Sequence, residues 1–320
     1  MENFLLFDSG NNNQRILIFG TTQTLDILQA ADNWYCDGTF KASPSLFDQL
    51  FVIQGQFREK ILPLLHVLMP NRLQSSYERA LAAICNLKPN LTPATVMSDF
   101  EQASLNAFHD NFPAARQRGC FFHFSQAVWK HIQQYSLIAE QYRETPDFAM
   151  HMKMLAALAF VPPEAVGASY DALLESAFFD ENEGILRPFL HYFESTWIGS
   201  VDRRQRRRPA LFDAALWNCR QTVLEELGKT NNACEGFNRA INSMLGSAHP
   251  TTYKLIDSLK KQHELTKSKI EEVVRGDAVP SGREMYKKSA ARLKKVVETY
   301  DEIPLLDYLR GVAHNIEYNV

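Results

Sequence analysis

Hydrophobic and polar positions change their period along this chain. The first third follows a strand pattern. "RILIFG" is an apolar, β-branched run closed by glycine. In "NWYCDGTFK" the alternation sets Trp34, Cys36 and Phe40 on one face and Tyr35, Asp37 and Thr39 on the other. The sheet is expected to bury the first row, with Asp37 standing in the opposite one. "LFDQLFVIQGQF" and "KILPLLHVLMP" continue as apolar strands. "SSYERALAAICNL" then switches to helical spacing: Tyr77, Leu81, Ile84 and Cys85 share a face, and Pro89 and Pro93 bracket the stop. "ATVMSDFEQASLNAFHDNF" reads as a short buried strand running into an amphipathic helix, with Ser98 or Asp99 at the junction. "GCFFHF" reads as another short strand.

From about residue 125 to 225 the period is helical, in "FSQAVWKHIQQY", "AMHMKMLAALAF", "PEAVGASYDALLESAFF" and "ILRPFLHYFESTWI". Helical spacing returns in "TNNACEGFNRAINSML", where Phe237, Ile241, Met244 and Leu245 read as a core face. It returns again in "TYKLIDSLKKQHELTKSKIEEVV", where Leu255, Ile256, Leu259, Ile270, Val273 and Val274 form an apolar stripe. The pattern predicts an α/β protein: a mixed sheet with flanking helices, interrupted by a large all-α insertion and followed by a helical C-terminal extension. The expected division is 1–125 for the first part of the core, 126–224 for the insertion, 225–250 for a helix completing the core, and 251–320 for the extension.

Composition narrows the class. A formal net charge of −3 over 320 residues gives no global pull toward nucleic acid, so any such binding must come from local basic patches. Five cysteines, odd in number and without a CxxC pair, point away from a disulfide scaffold and toward a reducing compartment. The longest apolar run, "ILPLLHVLMP", is too short to span a bilayer, and "MENFLLFDSGNNNQ" has no cationic start typical of a secretory signal.

Three acids stand out by context: Asp37 inside a strand, Asp99 at a strand end, and Glu235 three residues after a candidate N-cap, Asn232. An acid in a buried strand is costly unless compensated, and a cation compensates it. Mg²⁺ favours one or two carboxylates with waters and phosphate oxygens, and a pair of such ions can clamp both oxygens of a phosphoryl displacement. Each acid also has a plain structural reading. Asp37 can be a surface or turn acid, Asp99 can cap the helix that follows it, and Glu235 can be a capping-box acid, with Asn232 or Thr230 as the cap. Glu101 is a weaker candidate, because the helix dipole favours acids in a first turn anyway. Asn231 and Asn232 lie near Glu235, and Asn238 and Arg239 share its helix face, placed to orient the carboxylate or touch a phosphate.

A cluster of five arginines, Arg203, Arg204, Arg206, Arg207 and Arg208, lies in "DRRQRRRP". It suits DNA phosphates or a nuclear localisation signal, against the plain reading of a solvated loop. Lys287, Lys288, Arg292, Lys294 and Lys295 read as an exposed helix face. Cys120 and His123 stand three apart, too few for a closed zinc site. Trp129 and Trp217 read as core, and Trp197 as core or as a stacking residue.

The blocks "DGTFKASPSLFDQLFVIQG", "MSDFEQASLNAFHDNFP", "GCFFHFSQAVWKHIQQYSL" and "TNNACEGFNRAIN", in this order, resemble successive blocks of a Mutator-like element (MULE) transposase domain over roughly residues 15 to 250. The resemblance implies an RNase H-like fold with a helical insertion and an Asp-Asp-Glu triad, which by position is Asp37, Asp99 and Glu235. It further implies two Mg²⁺ or Mn²⁺ ions, with Asp37 between them and Asp99 and Glu235 on the flanks. The implied activity is cleavage and strand transfer of double-stranded DNA, by a homodimer or higher oligomer in the nucleus. Cys120 and His123 match the family's C-x2-H motif, with a structural or DNA-contact role, and Trp197 matches an aromatic that can stack on an unpaired base. Family members usually carry an N-terminal DNA-binding domain, often zinc-bound, that recognises the element ends. No zinc-finger spacing occurs here, so the alternative expectation is a fragment, a decayed copy or a host-adopted DNA-binding or regulatory derivative. An RNase H-like nuclease acting on RNA or on free ends is disfavoured by the large insertion.

Overall fold

The apolar runs of the first third pair into one seven-stranded sheet. A computed structural model describes residues 3–58, 60–202, 204, 206–226, 232–276 and 284–318. The strands are β1 (Leu5–Asp8), β2 (Leu17–Phe19), β3 (Asn33–Thr39), β4 (Gln49–Phe57), β5 (Lys60–Met69), β6 (Thr95–Ser98) and β7 (Arg116–Gly119), in the spatial order β1-β2-β5-β4-β3-β6-β7. Helices α1 (Thr22–Ala30), α2 (Gln74–Leu87) and α3 (Gln102–Asn111) lie between them in sequence. Strands β3, β4 and β5 form an antiparallel meander, and β6 adds parallel to β3. A parallel addition needs a crossover, which α2 supplies. This mixed sheet with flanking helices is an RNase H-like fold, elaborated by β1 and β2 at one edge, a helical insertion and a C-terminal helical extension.

The helices continue as α4 (Phe121–Ile132), α5 (Ser136–Glu144), α6 (Pro146–Ala157), α7 (Val166–Leu174), α8 (Ala177–Glu181), α9 (Glu183–Phe193), α10 (Ala214–Trp217), α11 (Arg220–Leu224), α12 (Asn232–Leu245), α13 (Thr252–Arg275), α14 (Glu284–Glu298) and α15 (Leu305–Ala313). The chain divides into two compact units. One is Met1–Gln117 with Asn231–Pro280, the other Arg118–Thr230 with Ser281–Val320. The first unit is therefore built from two distant stretches of sequence.

In that unit the sheet is buried on both faces. One face packs Trp34, Cys36, Phe51, Ile53 and Val67 against Leu28 of α1, Leu81 and Ile84 of α2 and Phe108 of α3. The other packs Leu17, Phe19, Leu50, Val52 and Leu68 against Phe237, Ile241 and Leu245 of α12 and Leu255 and Leu259 of α13. The strand period of two sends alternate residues to opposite faces, which explains both sets. Only one buried row is expected from "NWYCDGTFK"; the second row is buried too because a helix from almost 200 residues later covers it. Asp37 is thus only 6% exposed. Helix α13 starts at Thr251, whose side chain accepts from Lys254 N at 3.3 Å, and stops at Gly276 with φ of 77°, a left-handed cap that favours glycine. On the expected apolar faces, Val274 and Met244 turn outward, 62% and 39% exposed.

Two further segments depart from the periodicity reading. In "GCFFHF" only Gly119 belongs to a strand, as the last residue of β7; Cys120 is the N-cap residue of α4, and the rest is its first turn. Its apolar residues continue at helical spacing, so that Phe121, Phe124, Val128, Trp129 and Ile132 are all buried. Helix α1 escapes the reading altogether, although Thr21 and Thr24 form a reciprocal capping box. A polar "TTQT" before a short apolar run carried that signal.

In the second unit, Phe124 stacks on Trp217 with ring centroids 5.0 Å apart and meets Trp197 edge-on at 4.8 Å. Trp197 lies in a π-helical turn, Glu194–Ile198, that extends α9.

Candidate active site

The parallel register between β3 and β6 is what brings the first two acids together. Asn33, Trp34 and Tyr35 pair with Thr95, Val96 and Met97, a constant offset of 62. Asp37 and Asp99 are also 62 apart, so the same offset carried past the end of β6 sets Asp99 level with Asp37. Neighbouring strands are about 4.8 Å apart, which leaves two carboxylates at the ends of adjacent strands. Asp99 does little as a cap: its Oδ1 accepts from Glu101 N at a long 3.4 Å.

Glu235 arrives on α12, in the first turn. One helical turn further, Asn238 Nδ2 donates to Asp37 Oδ2 at 2.7 Å. Because residues three apart share a helix face, this bond also turns Glu235 toward the sheet end. Asp37 Oδ1 accepts from Gly38 N at 3.0 Å. Both bonds favour the charged form of Asp37, yet its pKa is pushed up to about 7. Burial is the largest cause, and the charges of Asp99 and then Glu235 add to it. Burial also raises Glu235, with the exposed Arg239 pulling the other way. Glu235 Oε1 is buried and has no hydrogen-bond partner among the described residues.

A fourth carboxylate borders the group. Glu101 is half-buried, and Tyr77 OH donates to its Oε2 at 3.1 Å, while Gln49 Nε2 donates to Tyr77 OH at 2.6 Å. Burial and then the Asp99 charge raise its pKa, against the hydrogen bond from Tyr77 and the positive charge of Arg72. From sequence Glu101 has a lesser place, Tyr77 reads only as part of an apolar helix face and Gln49 as a strand residue, because their convergence depends on how α2 crosses the sheet. Gly38 allows the arrangement: a Cβ there would overlap Gln49 Oε1.

The donor set is all hard carboxylate oxygens, with the charges of Asp99 and Glu235 raising the ionisation cost of Asp37 and with one buried orphan oxygen on Glu235, and it has the chemistry of a divalent-cation site. Among the described residues, no three His, Cys, Asp or Glu side chains form a group that could hold a metal ion.

The remaining candidates fall elsewhere. Cys120 is fully buried as the N-cap residue of α4, with extended backbone, and His123 is the third residue of that helix, so neither lies in a strand. Trp197 is 1% exposed, and its Nε1 donates to Tyr192 OH at 3.3 Å. It is a core residue of the second unit and offers no open face for a base. Arg207 is also committed: its Nη2 donates to both oxygens of Asp171 at 2.6 Å and its Nη1 to Gly199 O at 2.6 Å. Arg204, Arg206 and Arg208 are exposed, on a loop in which Asp202 Oδ1 accepts from the backbone N–H of Arg204 and Arg206. Arg203, Thr230 and Asn231 lie outside the described residues, as do the side chains of Asn232 and Lys287. Lys288 and Arg292 are exposed on α14, while Lys294 pairs with Glu226 at 2.6 Å. Asn238, expected to serve Glu235 or a phosphate, instead holds Asp37.

No curated protein matches the chain. The MULE transposase domain family matches residues 33–127, a part of the chain that takes in Asp37, Asp99, Cys120 and His123 and ends before Glu235.

Proposed function

We propose that the protein is the catalytic part of a transposase of the MULE type, cutting double-stranded DNA and joining the freed end to a target. The reading is carried by one observation: the charges of Asp99 and Glu235 both bear on a buried Asp37 at the end of the sheet, inside and beside the matched domain. Asp37, Asp99 and Glu235 would hold Mg²⁺ or Mn²⁺, two ions in this reading. Bound there, the cations supply charge neutralisation at a scissile phosphate and a water acidic enough to attack it. Asn238 fixes one oxygen of Asp37 and leaves the carboxylate a single orientation. Glu235, with its orphan oxygen, is the acid whose position closes the site. Arg239 is an exposed cation next to Glu235, suited to a neighbouring phosphate. Arg204, Arg206 and Arg208 supply a salt-sensitive hold on the DNA backbone from the second unit. Assembly as a dimer or higher oligomer on DNA, and residence in the nucleus, belong to the same reading.

A second reading has its own support. The matched domain ends before Glu235, so the third acid is assigned by position alone, and a host-adopted derivative that binds DNA without cutting it is the alternative. Incubating the chain with labelled duplex DNA, with Mg²⁺ or Mn²⁺, separates the two. Strand cleavage that disappears in Asp37→Ala and Asp99→Ala, with folding retained, supports the catalytic reading. Binding without cleavage under either metal supports the second, and cleavage that persists in Asp37→Ala refutes the assignment.

A further inference from the structure

Just beyond β3, three residues after Asp37, the chain presents an open aromatic ring. The other large apolar residues of this stretch, Trp34, Tyr35 and Cys36, are buried, whereas Phe40 is 43% exposed. At about 3.3 Å per residue, Phe40 lies about 10 Å along the chain from Asp37, a spacing of one to two nucleotides. The guanidinium of Arg72 sits over the ring, 4.7 Å from its centroid, and Asp48 holds it by accepting from Nε at 3.3 Å. Arg72 is itself half-exposed, and its charge reaches Glu101 at the border of the acid group. Lys41, next to Phe40, is exposed as well. An open ring with two cations beside it matches a nucleotide on both counts, since every base has a π-face and each phosphate a negative charge.

We propose that Phe40, with Arg72, is a stacking platform for an unpaired base of the DNA, next to the phosphate presented to Asp37, Asp99 and Glu235. The proposal rests on the DNA-cutting reading and adds to it the state of the substrate: a strand end splayed at the site rather than an intact duplex. Stacking on an aromatic is sequence-tolerant, so the platform selects unpaired structure and not a base identity.

The test uses the full chain and two labelled duplexes, one blunt and one with a short single-stranded overhang. The overhang duplex should bind more tightly, and Phe40→Ala and Phe40→Leu should weaken it about tenfold while leaving the blunt duplex unchanged. Phe40→Trp should keep the preference. Its added fluorescence should be quenched by the overhang but not by an abasic overhang, which has no base to stack; Trp34, Trp129, Trp197 and Trp217 are all buried, so the change reports on residue 40. Phe40→Leu binding the overhang like wild type, or equal quenching by the abasic strand, overturns the platform and leaves the DNA-cutting reading intact. Failure of the wild-type chain to bind either duplex overturns both.

Discussion

Asp37 makes the stability of the metal-free protein depend on pH in a direction opposite to that of most carboxylates. Its folded pKa of about 7 lies above its ordinary value of 3.8. Between those values the folded state binds more proton than the unfolded state, so stability falls as pH rises. A shift of about 3 units corresponds to about 4 kcal/mol at 1.36 kcal/mol per unit, of which about 3 kcal/mol is lost between about pH 4.5 and pH 8. Asp37→Asn keeps the shape and an oxygen for Asn238 but cannot ionise. Urea unfolding with a chelator present should therefore show Asp37→Asn close to wild type near pH 4.5 and about 3 kcal/mol more stable than wild type near pH 8. Parallel stability profiles for the two proteins would refute the claim that Asp37 is buried under the influence of Asp99 and Glu235. Adding Mg²⁺ near pH 8 should narrow the gap by stabilising wild type alone.

Other expectations follow from single contacts. Asn238→Leu removes a bond to a charged group and should cost about 1.5–3 kcal/mol at a pH where Asp37 is ionised, and less in acid, as read by the same urea titrations. Gly38→Ala forces a Cβ into Gln49 Oε1 and should destabilise by about 1–3 kcal/mol, with Gln49→Ala relieving part of that in the double variant. Trp197→Ala should cost about 3–5 kcal/mol and lower DNA binding only in step with unfolding, which circular dichroism and a binding isotherm together would show. Arg207→Ala should destabilise the second unit by about 1–2 kcal/mol through loss of Asp171 and the Gly199 carbonyl. Arg204→Ala and Arg208→Ala should leave stability within about 0.5 kcal/mol and each reduce the salt slope of DNA binding by about 1.

Period and local chemistry made much of the core readable. Strands β3 to β6, helices α2, α3, α12 and α13, the long helical block, and the contexts of Asp37, Asp99 and Glu235 all follow from alternation or helical spacing within a short window. What stayed hidden depends on partners far away in sequence. The second face of β3 reads as open because its cover, Phe237 and Ile241, comes some 200 residues later. Asn238 shares a face with Glu235 on any helical wheel, but that its amide goes to Asp37 is a fact of packing. Arg207 looks like its neighbours in "RRQRRRP" until Asp171 is brought beside it. "GCFFHF" shows the remaining weakness: six residues fit a strand or a helix equally, and only the buried positions beyond them decide.

The interrupted first unit has a consequence for synthesis. On a ribosome, the sheet strands are complete long before α12 and α13 exist, because the roughly 110 residues of 118–230 must be made first. At about 5–20 residues per second, Leu17, Phe19, Leu50, Val52 and Leu68 have no native cover for about 10 s. A message cut short within the insertion would yield a chain with a bare apolar sheet face and only two of the three acids. Such a product is a client for chaperones and proteases, and it lacks the acid that the proposed site takes from α12, so the late position of Glu235 ties completion of that site to completion of the sheet's cover.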